Sequence, residues 1–246
     1  MLISYSHRFI YFHVAKTGGL SIREALKGYA GEPERFGRLR RPPRLVEGEP
    51  NPLYEMWESL LLHARAAEAR RGLSAELFDA SYKFAFVRNP WDWQVSMYHF
   101  ILKEIGHIHH RTVSAMAGFE EYLAWVVRTD KPFARGATKL QTEMLTDESG
   151  RLLVDFVGRY ETLERDFAAV CDRLGIHAPL PTLNQSPRER DYRPHYTSRA
   201  RRLVREHFRA DIDRFGYEFD GVAADLPPPG PVTHGLTAQI RQRMAP

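Results

Sequence analysis

Two short stretches carry residue types that could do chemistry on an anion. The first is His13-Val-Ala-Lys-Thr-Gly-Gly-Leu-Ser21. Gly18 and Gly19 let the backbone bend and let a ligand approach closely. Lys16 supplies a point positive charge, and Thr17 and Ser21 can add hydroxyl donors. If a helix starts here, its first N–H groups and its dipole favour an anion, and a phosphate is the expected guest. The second stretch is Phe84-Ala-Phe-Val-Arg-Asn-Pro-Trp-Asp-Trp-Gln-Val-Ser96. Arg88 can grip a phosphate or carboxylate with two N–H groups. Asp92 and Ser96 are four apart and share a helix face. The plainer alternatives are a Gly-Gly turn with a solvated lysine, and a capped helix whose arginine pairs with a core carboxylate.

The elements that must position these residues are legible from pattern. Phe9 to Val14 and Tyr82 to Val87 are aromatic and β-branched runs, as buried strands are, and 152–160 is a third candidate. Helices are expected over 21–29, over 53–71 with Gly72 as stop, over 74–80, and from Asn89-Pro90 to about Glu104. Asn is a favoured N-cap and Pro suits the first helical position. Further helices are expected over 119–128, 138–145 and 162–174, and a long one from a Ser198 cap to Phe215, with Leu203, Val204, Phe208 and Ile212 on one side. Strands alternating with helices give an α/β fold with a P-loop-like, mostly parallel sheet flanked by helices. Ligands of such sheets bind beyond the carboxyl ends of the strands, where both stretches lie. One domain is expected over 1–220, followed by a Pro-rich tail over 221–246.

Bulk composition narrows the classes. The chain has 246 residues, and its 35 Lys and Arg against 31 Asp and Glu leave a formal charge of +4. That excess suits an anionic ligand without demanding nucleic acid, and the aromatics sit in core-like runs. No apolar run reaches the roughly 20 residues that span a bilayer, and 1–11 does not read as a secretory signal. The lone cysteine, Cys171, excludes an intramolecular disulfide and reads as a core residue. A soluble cytoplasmic protein is the expectation. No metal-ligand motif is present, and His107-Ile-His-His110 matches no defined spacing.

The order Lys16-Thr-Gly-Gly is not that of a Walker A loop, where the lysine follows the glycines. Taken together, Lys16-Thr-Gly-Gly-Leu-Ser21 and Arg88-Asn-Pro…Ser96 resemble the sulfotransferases that use 3′-phosphoadenosine-5′-phosphosulfate (PAPS). The likeness is to the carbohydrate sulfotransferase branch and its bacterial relatives. It extends to Gln141-Thr-Glu-Met-Leu145, Val154 to Glu161, and Leu183-Asn-Gln-Ser186 with Phe215-Gly-Tyr217.

The resemblance implies a sulfotransferase fold and transfer of a sulfuryl group from PAPS to an acceptor hydroxyl, that of a carbohydrate or another small molecule, with PAP (3′,5′-ADP) as product and no metal required. It implies that Lys16, Thr17, Gly18, Gly19 and Ser21 hold the 5′-phosphosulfate, with Lys16 steadying the leaving phosphate. Arg88 and Ser96 would hold the 3′-phosphate, and Tyr192 and Arg193 belong to a late basic loop that closes over the donor. His63, before the second stretch, is the candidate base, with a satisfied core histidine as the alternative and Glu55 or Glu58 as runners-up. The Arg38 to Arg44 run could reach an acidic acceptor. A nucleotide kinase on a P-loop-like fold and a non-catalytic PAP-binding homologue are the competing functions. Nucleic acid is not an expected partner, and the oligomeric state is not readable.

Overall fold

The computed structural model describes residues 1–31, 45–47, 49–50, 62–133, 137–183 and 191–222. Its main sheet has the order β1-β2-β5-β6. β1 (Leu2–Ser4) runs antiparallel to β2 (Phe9–Phe12). β2, β5 (Tyr82–Val87) and β6 (Phe156–Arg159) are parallel, with Phe12 opposite Ala85 and Val87 opposite Arg159. The expected α/β architecture is therefore present, with one antiparallel edge. Two short hairpins stand apart: β3 (Leu45–Val46) with β4 (Glu49–Pro50), and β7 (Tyr217–Glu218) with β8 (Gly221–Val222).

Side chains alternate across a strand, and here each alternate set enters a different core. Ile10, Phe12, Ala85, Val87 and Val157 face the larger one. Phe9, Tyr11, Phe84, Phe86 and Phe156 face the smaller. The smaller core is closed by α1 (Gly19–Leu26) and α8 (Leu163–Leu174), through Ile22, Leu26, Phe167, Val170 and Cys171. Cys171 is thus the buried core residue its pattern suggested, and burial raises its thiol pKa.

The larger core is covered by α2 (Ala66–Gly72), α3 (Ala75–Ala80), α4 (Pro90–Lys103), α5 (His110–Ser114), α6 (Phe119–Arg128), α7 (Gln141–Leu145), α9 (Ser198–His207) and α10 (Arg209–Phe215). Among the described residues no helix is long and apolar enough to cross a membrane.

Several expected elements are shorter, for identifiable reasons. Helix 53–71 is interrupted: Leu62 is helical, His63 lies in a turn, and α2 begins only at Ala66. Glu68 accepts the Arg65 N–H at 3.0 Å and starts the new helix there. Residues 51–61, with Glu55 and Glu58, lie outside the described residues, as do Arg38 to Arg44 and the tail from Ala223. The cap of α9 is Thr197, whose Oγ1 accepts the Ala200 N–H, and the long helix divides at the buried Phe208. β6 starts at Phe156 because Leu152 pairs instead with Thr146.

Candidate active site at the carboxyl ends of the parallel strands

β2 delivers a tight turn. Lys16 has φ 62° and Gly18 φ 80°. A non-glycine residue held in that region costs about 1–2 kcal/mol, so the fold bends the chain here at the expense of local strain. The Thr17 hydroxyl donates to the Val14 carbonyl at 2.9 Å and ties the turn from within. Gly19 is dictated by packing: a Cβ there would lie 1.9 Å from Nε2 of the buried His13 ring. A Cβ on Gly18 would lie 2.7 Å from Leu163. α1 opens directly from this turn with no side-chain cap, so its first N–H groups remain available to a ligand. Ser21 Oγ accepts the Leu183 N–H at 3.2 Å and keeps its own proton to donate. The Lys16 ammonium lies 4.4 Å from the Phe100 ring centroid, on α4.

β5 delivers Arg88, which is buried. Asp92 Oδ2 accepts from its Nε at 2.7 Å and stands 2.6 Å from Nη2. Nη1 donates to the Lys16 carbonyl at 3.1 Å, and the guanidinium lies 4.0 Å from the Tyr160 ring centroid. The core-carboxylate alternative for Arg88 therefore holds as far as Asp92. The bond to Lys16 also makes the two candidate anion-binding stretches direct neighbours. Trp93 adds a second tie, donating from Nε1 to the Ala15 carbonyl at 2.7 Å. Ser96 is buried one turn beyond Asp92.

The backbone of Arg88 is held from α7. Gln141 Oε1 accepts the Arg88 N–H at 2.9 Å and Gln141 Nε2 donates to the Arg88 carbonyl at 2.8 Å. Asp211 fixes the start of α7 by accepting the Gln141 and Thr142 N–H groups, both at 2.8 Å. That explains why the helix begins at Gln141 and not at Thr138. Sequence reasoning quoted Gln141 within a motif but missed its clamp; a glutamine opening a buried segment was the available signal.

Burial raises the Asp211 pKa to about 6, against the two N–H bonds that lower it. A folded pKa above the unfolded value means that the folded state binds the extra proton, so this contribution to stability is lost as pH rises from about 4 to 6. Asn at this position does not titrate. The stability of the wild type relative to Asp211→Asn is therefore expected to fall by about 2 kcal/mol between pH 4.5 and 7. Urea melts at the two pH values check this; a pH-independent difference would refute it.

His63 Nδ1 lies 2.9 Å from the His13 carbonyl oxygen. A carbonyl only accepts, so Nδ1 carries the proton and Nε2 is the basic nitrogen of the neutral ring. The two imidazoles are 4.9 Å apart. Burial first, and the neighbouring His63 second, hold the His13 pKa well below the ordinary histidine range. His63 does not lie within the helix expected over 53–71 but in a turn ahead of α2. What places it is the carbonyl of His13, three residues before Lys16.

The late-loop residues are partly spoken for. Tyr192 donates its hydroxyl to the Phe219 carbonyl and accepts from Asn89 Nδ2 at 3.3 Å. Arg193 is exposed and pairs with Asp191 at 2.8 Å. The His107–His110 group packs locally: His107 Nδ1 accepts the His109 N–H, and His109 meets the Trp125 ring. Among the described residues no group of three or more His, Cys, Asp or Glu side chains could hold a metal ion.

Family comparison decides the class. The sulfotransferase family model matches residues 1–218, which include both stretches, His63 and the clamp on Arg88. The chain belongs to the sulfotransferase family. An uncharacterized protein of Archaeoglobus fulgidus is 27% identical to this sulfotransferase over 128 residues, covering 50% of this chain and 92% of that protein. The crystal structure of mouse sulfotransferase SULT7A1 complexed with PAP aligns over 85% of each chain, with a TM-score of 0.47 and 14% identity. In this sulfotransferase the turn after β2 and the arginine after β5 thus adjoin one another at the edge where ligands of parallel sheets bind.

Proposed function

We propose that this sulfotransferase uses PAPS as donor, releases PAP, and sulfates a hydroxyl of a carbohydrate acceptor. The observation that carries the donor assignment is the 3.1 Å bond from Arg88 Nη1 to the Lys16 carbonyl. It sets two cationic anion-binding elements side by side, as a ligand with separate 5′ and 3′ anionic groups requires. The uncapped start of α1, opening from the Gly18–Gly19 turn, offers backbone N–H groups to which a phosphate group would bind. When bound, PAPS supplies a sulfuryl group already activated by its bond to phosphate.

Lys16, Thr17, Gly18, Gly19 and Ser21 would hold the 5′ group, and Arg88 and Ser96 the 3′-phosphate. Tyr192 and Arg193 would border the site from the late loop. His63 Nε2 would take the acceptor's hydroxyl proton as the oxygen bonds to sulfur. The Lys16 ammonium would stabilise the negative charge left on the departing phosphate oxygen as its bond to sulfur breaks. The carbohydrate acceptor rests on the resemblance of the two stretches to the carbohydrate branch, and the cytoplasmic setting on Cys171 being the only cysteine.

Calorimetry with PAP, AMP, ADP and ATP–magnesium tests the donor. PAP is expected to bind at least about tenfold tighter than AMP, since one charge-assisted contact contributes about 1.5–3 kcal/mol. Equal binding of PAP and AMP, or tightest binding of ATP with magnesium, would remove PAPS as the donor.

A further inference from the structure

A second feature lies beside Tyr192, whose ring meets that of Phe219 at 5.7 Å. Trp91, Arg201, Arg202, Arg205 and Phe219 line an open depression of about 260 Å³. Trp91 and Ser96 are five positions apart on α4, which is roughly 140° around the helix at 3.6 residues per turn. The depression is therefore turned away from the helix face that carries Asp92 and Ser96.

Its charge comes from three arginines of one helix. The Arg201 guanidinium lies 4.2 Å from the Phe219 ring centroid, and the ring meets Trp91 edge-on. Arg199 and Arg209, at the two ends of the same segment, pair with Glu120 and Asp213. Arg202 and Arg205 are exposed and have no ion pair among the described residues. Among the described residues no acidic side chain lines the depression.

We infer that this depression is a binding site for a sulfate-bearing oligosaccharide, held by Arg201, Arg202 and Arg205 outside the transfer site. The choice of a glycan rests on the acceptor class proposed above; the anionic character of the ligand does not. Guanidinium forks match the oxygens of a sulfate ester with paired N–H groups. A volume of this size takes one or two sugar units and not a duplex. Single-stranded nucleic acid needs open aromatic platforms, whereas Trp91 is 1% exposed and Phe219 lies under Arg201. A chain already sulfated on one unit would be anchored here while another part occupies the transfer site.

The test uses the full chain, without donor or turnover. Binding of a heparin octasaccharide, a neutral dextran octasaccharide and a DNA single strand of equal charge is measured at two salt concentrations, for wild type and Arg202→Glu/Arg205→Glu. The octasaccharide is expected to bind the wild type tightest. The double variant is expected to bind it at least about tenfold more weakly, with its salt slope reduced by about two. PAP affinity, measured on the same samples, should not change. Undiminished octasaccharide binding in the variant, equal binding of the neutral sugar, or tighter binding of DNA would overturn the assignment. Failure of PAP binding with the octasaccharide shift intact would instead remove the donor proposal and leave this site standing.

Discussion

His63→Asn is expected to lower kcat by about 10²–10⁴-fold, the usual contribution of a general base, while PAP affinity stays at the wild-type value. Asparagine is the informative replacement. Its side-chain N–H can still donate to the His13 carbonyl, as His63 Nδ1 does at 2.9 Å, but it offers no basic nitrogen. The turn between Leu62 and Ala66 should therefore survive, and a thermal melt close to wild type would show that it has. The pH–rate profile supplies the deciding signature. Wild-type kcat should fall on the acid side as His63 Nε2 gains its proton, and that limb should vanish in the variant. A variant with wild-type kcat, or one that keeps the acid limb, would make His63 a packing residue and reopen the search for the base.

Arg88→Ala is expected to cost stability and donor binding together, by separable amounts. The Arg88 and Asp92 side chains are only 7% and 10% exposed and stand 2.6 Å apart. Removing the arginine alone breaks this buried ion pair, which typically costs about 3–5 kcal/mol. Removing both charges in Arg88→Ala/Asp92→Ala should restore a large part of that loss. PAP binding should be lost in both variants, because Asp92 occupies one edge of the guanidinium and Lys16 one further N–H, leaving the rest of the fork to an anion. Urea melts and calorimetry on the two variants separate the effects. A double variant that is stable and still binds PAP as the wild type does would leave Arg88 a purely structural residue.

Much of this was legible before any coordinates. The alternation in Phe9-Ile-Tyr-Phe12 and Phe84-Ala-Phe-Val87 marks strands buried on both faces, and both are. Asn89 followed by Pro90 marks a helix start, and Asn89 Oδ1 accepts the Trp91 N–H there. Gly175 marks a helix end and sits at φ 64°. What failed were elements whose ends depend on distant partners. The pattern over 53–71 is helical throughout, yet the chain turns at His63, where a carbonyl 50 positions away accepts its Nδ1–H. The pattern over 138–145 is helical too, yet α7 starts where Asp211, 70 positions on, receives its first N–H groups.

The sequence by itself determined strands β2 and β5, most helix starts, the two candidate anion-binding stretches and the family they resemble, but not the antiparallel edge strand β1. These depend on the order of residues within a few turns, where backbone sterics, side-chain period and capping act locally. Only the tertiary structure decided how those stretches are joined, through the Arg88–Asp92 pair bonded to the Lys16 carbonyl, the Gln141 clamp and the His13–His63 contact, and where the arginine-lined depression on α9 forms. Apart from the Arg88–Asp92 pair itself, these contacts join residues many positions apart. Sequence spacing carries no distance at that range, and packing of the two cores against the sheet sets it instead.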